Sequence, residues 1–235
     1  MPILMLWSAP RCRSTAFFRM MLERGDLVAV HEPFSSRAEH GSVDIAGAPA
    51  RSEREVLERL RSLAATAHVF AKDTTDERYP EVLADEAFLA KDAHHTFIIR
   101  HPKETVPSYY ALNSNVRRDQ IGFEHLYELF DAVQQRTGRA PVVVDSDKLI
   151  AEPAATTAKY CAAVGIPFKP ESLSWSPGDR AEWKATQRWH QDVSTTHGFK
   201  DGPSTHGVRL EDHPHLQGHL DYHLPFYEKL RALAL

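Results

Sequence analysis

The sequence predicts an α/β domain of three layers, with a central, mainly parallel five-stranded sheet flanked by helices. Three observations carry that expectation. Short apolar runs alternate with helical patterns at crossover-length spacing, which implies parallel βαβ units. The run Thr96-Phe97-Ile98-Ile99 is apolar without alternation, as in a strand covered on both faces. The chain of 235 residues is long enough for one good core and fits a single α/β domain.

The first strand, Ile3-Leu4-Met5-Leu6-Trp7, runs into Ser8-Ala9-Pro10-Arg11-Cys12-Arg13, and Ser14-Thr15 opens a helical pattern with Phe17, Phe18, Met20, Met21 and Leu22. A helix N-terminus carries free N–H donors and a positive dipole end. Arginine's planar fork matches phosphate or sulfate oxygens. Arg11, Arg13, Ser14 and Thr15 at that mouth therefore read as an anion site; the plainer alternative is an ordinary turn with Ser14 as N-cap.

A second strand, Leu27-Val28-Ala29-Val30, delivers His31-Glu32-Pro33-Phe34 to the carboxyl edge, where ligands gather in open parallel sheets. The alternative there is a solvated acid beside a capping histidine. Residues 35–50 are polar and aperiodic and read as a loop or lid. Ser52 and Glu55 form a capping-box pattern ahead of a stripe of Val56, Leu57, Leu60 and Leu63. The third strand, His68-Val69-Phe70-Ala71, delivers Lys72 and Asp73 and then Thr74-Thr75-Asp76. Lys72 and Asp73 read either as a structural ion pair or as a cation for transferred charge beside a proton acceptor. Tyr79 to Leu89 reads as a helix.

Arg100 ends the fourth strand. Pro102 suits the first helical turn that follows, Pro107 should distort that helix or shift its start, and Ser108 should share a ligand oxygen group with Arg100. Phe123 to Thr137 is amphipathic, with Gly138 as its C-cap. Pro141-Val142-Val143-Val144 is the fifth strand, and Pro153 to Val164 a helix stopped by Gly165. From Leu173 onward, Trp175, Trp183 and Trp189 lie around Arg180 and Lys184, a set that suits a purine ring, although packing a closing helix is the commoner role. His190, His197, His206, His213, His215, His219 and His223 follow no metal-ligand spacing, so no metal site is expected. A closing helix is expected over Tyr222 to Leu233.

A net charge of −4 excludes a non-specific nucleic-acid binder, so any anion site is local. Cys12 and Cys161 have no redox or metal spacing and read as free thiols. The opening apolar run is short for a signal peptide and no stretch is long enough for a membrane span, so a cytoplasmic protein without membrane partners is expected.

Two motifs point to a family. Ala9-Pro10-Arg11-Cys12-Arg13-Ser14-Thr15 resembles the 5′-phosphosulfate loop of sulfotransferases that use 3′-phosphoadenosine 5′-phosphosulfate (PAPS). Arg100-His101-Pro102-Lys103-Glu104-Thr105-Val106-Pro107-Ser108-Tyr109-Tyr110 resembles their 3′-phosphate motif and is the more specific match. The resemblance implies a P-loop-like fold, with residues 1–170 as the nucleotide-binding core and residues 171–235 as a lid or helical extension of one domain. It implies transfer of a sulfuryl group from PAPS to a hydroxyl or amine of a small-molecule acceptor, releasing PAP, with no metal required. Pro10 to Thr15 would hold the 5′ side, with Arg11 also catalytic; Arg100 and Ser108 would hold the 3′-phosphate; Trp183 and Lys184 match weakly. Lys72 stands at the third strand's catalytic position, and the base is Glu32 or Asp73, with His31 third. The family often has glycine at position 13. A positive φ there would strain a non-glycine residue by about 1–2 kcal/mol, so the loop is expected to take another path. A P-loop kinase is the runner-up, but the loop lacks the Walker glycines. A PAP-binding protein without activity is the other alternative. The acceptor is not encoded, and a homodimer stays open.

Overall fold

The computed structural model describes residues 3–199 and 207–235; Met1 and His206 lie outside the described residues. Strand β1 (Ile3–Ser8) leads to helix α1 (Ser14–Glu23), β2 (Val28–His31), α2 (Pro33–His40), a hairpin of β3 (Val43–Ile45) and β4 (Ala48–Ala50), and α3 (Glu53–Ala64). Then follow β5 (Val69–Thr74), α4 (Pro80–Ala84), a π-helical turn at Phe88–Asp92, β6 (Ala93–Ile99) and α5 (Pro102–Tyr110). The rest is α6 (Phe123–Thr137), β7 (Val142–Asp145), α7 (Ser146–Ala151), α8 (Pro153–Val164), a 3-10 stretch over Ala181–Trp189, α9 (Gln191–Ser194) and α10 (Pro214–Arg231).

The five-stranded sheet has the order β2-β5-β1-β6-β7, and every pairing in it is parallel. This is the parallel sheet that the alternation of runs implies, in the P-loop-like arrangement that the resemblance implies. Strand β1 is central and fully buried. Its period of two sends Ile3, Met5 and Trp7 to one face, with α3 and α6, and Leu4 and Leu6 to the other, with α1, Tyr160 and Trp183. Helix α10 packs on α5 and α6, and its Leu216, Tyr227 and Leu230 join the core of the first face.

Several elements match the expectations from sequence. Helices α6 and α8 have the expected ends, with Gly138 and Gly165 in the left-handed region at their C-caps. Ser52 Oγ accepts from Glu55 N at 3.2 Å, while the Glu55 carboxylate reaches Arg51 N, one residue before the usual capping-box partner. Cys12 and Cys161 are free and buried. No described helix is long and apolar enough to cross a membrane.

Four expectations are corrected. Residues 35–50 are not a loop: Phe34 is fully buried, α2 runs to His40, and a two-residue turn at Ala46-Gly47 closes the β3–β4 hairpin, both residues at positive φ. The segment Tyr79 to Leu89 is not one helix, because Asp85 accepts from Phe88 N and starts a separate turn, which His95 Nε2 holds through the Phe88 carbonyl. Helix α5 neither breaks nor shifts at Pro107; it starts at Pro102 and runs through to Tyr110. The closing helix begins at Pro214, well before Tyr222, because Leu216 and Leu220 are also buried.

Gly122, before α6, sits at a close backbone approach. Its φ is +86°, and a Cβ there would stand 2.8 Å from the Thr75 carbonyl oxygen. The close approach lets Thr75 Oγ1 donate to the Gly122 carbonyl and fixes the turn after β5.

Candidate active site

The carboxyl ends of β1, β2, β5 and β6 meet on one edge, where the chain's crossovers diverge from β1. Arg11 and Arg13 in the β1–α1 turn both adopt left-handed φ, 66° and 63°. The turn thus keeps the strained conformation with arginine in place of glycine, contrary to the expected alternative path. Arg13 is the backbone N-cap of α1 and no side chain caps it; Ser14 is the first helical residue, not the cap, and its Oγ accepts from Ser8 Oγ at 3.0 Å.

Arg11 folds inward. Its Nε donates to Ser108 Oγ at 3.1 Å and a terminal nitrogen donates to the Trp189 carbonyl at 2.8 Å. The two motifs, 97 residues apart, therefore touch, although Ser108 engages Arg11 rather than Arg100. Arg13 turns to Asp147 at 2.7 Å. Arg100, 6% exposed, has an unpartnered Nε, and among the described residues its carboxylate contact is Glu104 at 3.5 Å. Burial lowers its pKa, and the Arg13 charge lowers it further. A buried arginine without full compensation carries an unrelieved desolvation cost. Cys12, fully buried, has its thiol pushed up to about 12 by burial, which leaves it unreactive.

The β2–β5 side is organised differently. Period two along β5 puts Phe70 and Lys72 toward α1, and Ala71 and Asp73 toward α2, so Lys72 and Asp73 are not a pair. Lys72 Nζ instead donates to Glu32 Oε1. Burial, the largest single effect, would raise the Glu32 carboxyl; Lys72, with His31 and His190 adding, outweighs it and lowers it to about 2. Glu32 has φ 46° and its N–H donates to the Lys72 carbonyl at 2.6 Å. Asp73 accepts from Phe34 N at 2.6 Å, Ser35 N at 3.1 Å and Thr74 N at 2.9 Å, so it caps α2 from a neighbouring strand. Burial, with Glu32 adding, pushes its carboxyl up to about 7.

Glu32 and Lys72 line a cavity of about 250 Å³, with Pro10, Arg11 and Ser14 on one side and Asp76, Tyr109 and Trp189 on another. Asp73 and Arg100 are not among its lining residues. His190 also lines it, although in sequence it is one of many tail histidines. It packs against His31 at 4.8 Å between ring centroids, and burial lowers His31 to about 3 and His190 to about 4. Asp76, part of a turn by its sequence, also lines the cavity, and burial raises it to about 6. Neither residue has a motif, and only the tertiary fold brings them in. Trp183, 1% exposed, packs on Phe18, His31 and His190, while Lys184 is exposed and outside the cavity lining.

Among the described residues, His31, Glu32 and His190 place donor atoms within 4.8 Å of one another. A divalent ion there would lie against the Lys72 ammonium, which already pairs with Glu32, and both His190 nitrogens contact threonine hydroxyls. That donor set fits a metal poorly.

Fold and sequence together define a class. The chain belongs to the sulfotransferase domain family, whose profile matches residues 1–234. Its sequence is 24% identical over 210 residues to branched-chain-amino-acid aminotransferase-like protein 2 of Arabidopsis thaliana, covering 85% of this chain and 36% of that one. It is 25% identical over 240 residues to protein 1 of the same name and plant, covering 96% and 41%. The chain thus spans about two-fifths of the length of these relatives. In structure it resembles the sulfotransferase domain from the curacin biosynthetic pathway (TM-score 0.51, 14% identity, covering 100% of this chain and 92% of that one). It also resembles a sulfotransferase from Alicyclobacillus acidocaldarius (TM-score 0.51, 12% identity, covering 83% and 97%). These likenesses concern the fold.

Proposed function

We propose that the protein transfers a sulfuryl group from PAPS to a hydroxyl or amine of a small-molecule acceptor. The observation that carries this reading is the buried guanidinium of Arg100, with its free Nε and Arg13 as its strongest charged neighbour. Arg100 at the end of β6 and Arg13 in the β1–α1 turn repel one another, and a bound phosphate would relieve that repulsion. A 3′-phosphate is also what separates PAPS from ATP. The Pro10–Thr15 turn would receive the 5′ side through Arg11, Ser14, Thr15 and the α1 N-terminus. Ser108, now on Arg11, would turn to the nucleotide, and the residue 171–235 extension would close over it, with Trp183 and Lys184 on the lid side.

PAPS supplies a sulfuryl group on a phosphate leaving group, and the protein's task is positioning and charge neutralisation. Glu32 is the better base, because it faces the cavity while the Asp73 oxygens are committed to three amides. Held by Lys72, however, Glu32 is a weak base. Drawing Lys72 toward the donor's oxygens removes that restraint, and a buried carboxylate without its cation gains proton affinity. The same lysine would thus neutralise the leaving group and free the base to take the acceptor's proton. The donor site is tested by calorimetric titration with PAP, and by a thermal shift with PAP against ATP plus Mg²⁺. PAP alone should bind tightly and stabilise. A preference for ATP would overturn the reading. Incubation of a metabolite extract with PAPS, followed by mass spectrometry, would identify the acceptor.

A further inference from the structure

We propose that His190 is a positioning residue for the donor loop, acting by setting where the Thr15 hydroxyl sends its proton. The proposal rests on the reading of that loop as the phosphate site. His190 is 3% exposed and lies 175 residues from Thr15 in sequence. Its Nδ1 is 2.9 Å from Thr15 Oγ1 and its Nε2 is 3.1 Å from Thr186 Oγ1. The ring is fixed by His31 and Trp183 on its flanks. The preceding residue, Trp189, accepts from Arg11 through its carbonyl. One turn of the tail therefore grips two side chains of the loop.

The proton count gives this contact its consequence. A neutral imidazole has one N–H and one acceptor nitrogen. In one arrangement Thr15 donates to Nδ1, Nε2–H donates to Thr186, and Thr186 donates to the Trp183 carbonyl, 3.4 Å away. Every proton in that chain is used. In the other arrangement Thr186 donates to Nε2, Nδ1–H donates to Thr15 Oγ1, and the Thr15 proton is free. Thr15 is the second residue of α1, at the helix end that attracts anions. A bound phosphate selects the second arrangement, because only there can Thr15 donate to it while its oxygen stays satisfied. A threonine bonded to a fixed acceptor would have to break that bond; the histidine reverses it instead. No covalent step or net proton uptake is involved.

Two measurements test this on the full chain. The first is ¹⁵N NMR of the His190 imidazole without and with PAP. The expected result is a change from the Nε2–H to the Nδ1–H tautomer on binding. The same tautomer in both states, while PAP binds, overturns the proposal. The second is a double-mutant cycle on PAP affinity with Thr15→Val and His190→Phe, the latter keeping a ring against His31 and Trp183. Each single change should weaken PAP roughly fivefold, the scale of one hydrogen bond. The pair should weaken it no further, because His190 acts through Thr15. Effects that multiply independently overturn the proposal. If His190→Phe fails to fold, the NMR experiment on the unaltered protein still decides. Failure of the unaltered protein to bind PAP would strike at the donor reading itself, and so the two failures are distinguishable.

Discussion

The two ends of the sheet's carboxyl edge hold buried cations in opposite states. At the β2–β5 end, Lys72 is paired with Glu32, and the carboxylate is held far below its ordinary value. At the β6–β7 end, Arg100 has Glu104 only at 3.5 Å and Arg13 as a repelling neighbour. A compensated pair can rest in the free protein and be opened by the reaction. An uncompensated cation stores a demand for an anion from outside. On the proposed function that difference would separate chemistry from binding, and substitutions should separate them too.

The largest effect belongs to the compensated end. Glu32→Gln should lower the rate of sulfated product formation by about 10²–10⁴-fold, the usual range for loss of a general base. PAP affinity should hold or improve, since Lys72 loses its competitor. Asp73→Asn should slow turnover much less and chiefly loosen α2. Comparable loss in both variants, with α2 intact by hydrogen exchange, would make Asp73 the base. Lys72→Met comes next. It leaves Glu32 buried and alone and should lower unfolding free energy by about 3–5 kcal/mol in urea titration. The pair also sets an acid limit. Glu32 is lowered from 4.5 to about 2, so its contribution to stability is full above pH 4.5 and is lost as pH falls toward 2. That loss should be absent from Lys72→Met.

At the uncompensated end the order reverses. Arg100→Ala should weaken PAP by roughly 10–100-fold, the scale of charged hydrogen bonds, with little change in stability. A strong loss of stability with PAP affinity intact would make Arg100 a structural residue.

The sequence carried one end better than the other. Arg100 and Ser108 sit in a local pattern on a strand and the helix after it, so the resemblance could name them together, although Ser108 engages Arg11. Glu32 and Lys72 come from different strands, and their pairing is set by the β2–β5 register, His31 opposite Lys72. Helix α2 was illegible because its cap, Asp73, lies 39 residues from the first amide it holds. His190 and Trp189 reach the site only because the tail folds back over the first turn. Local chemistry shows in spacing; contacts across long loops do not.

Arg13 gives the smallest effect and the sharpest test of what the uncompensated end gains from its strain. Its φ of 63° disfavours any side chain, and its charge opposes Arg100. It gains the Asp147 contact, a half-exposed pair worth little, about 0–1 kcal/mol. Arg13→Gly relieves strain and repulsion but adds freedom to the unfolded chain, so stability should stay within about 1 kcal/mol. Arg13→Ala removes the same charge and keeps the strain. Arg13→Gly should therefore unfold later in urea than Arg13→Ala, by about 1 kcal/mol. Both should weaken PAP alike, because the lost guanidinium is common to them. If Arg13→Gly keeps full PAP affinity, the repulsion between Arg13 and Arg100 is a packing accident and Arg100 alone receives the phosphate. If both variants lose affinity while the glycine form is the more stable, the arginine is retained at the expense of the fold for the anion it holds.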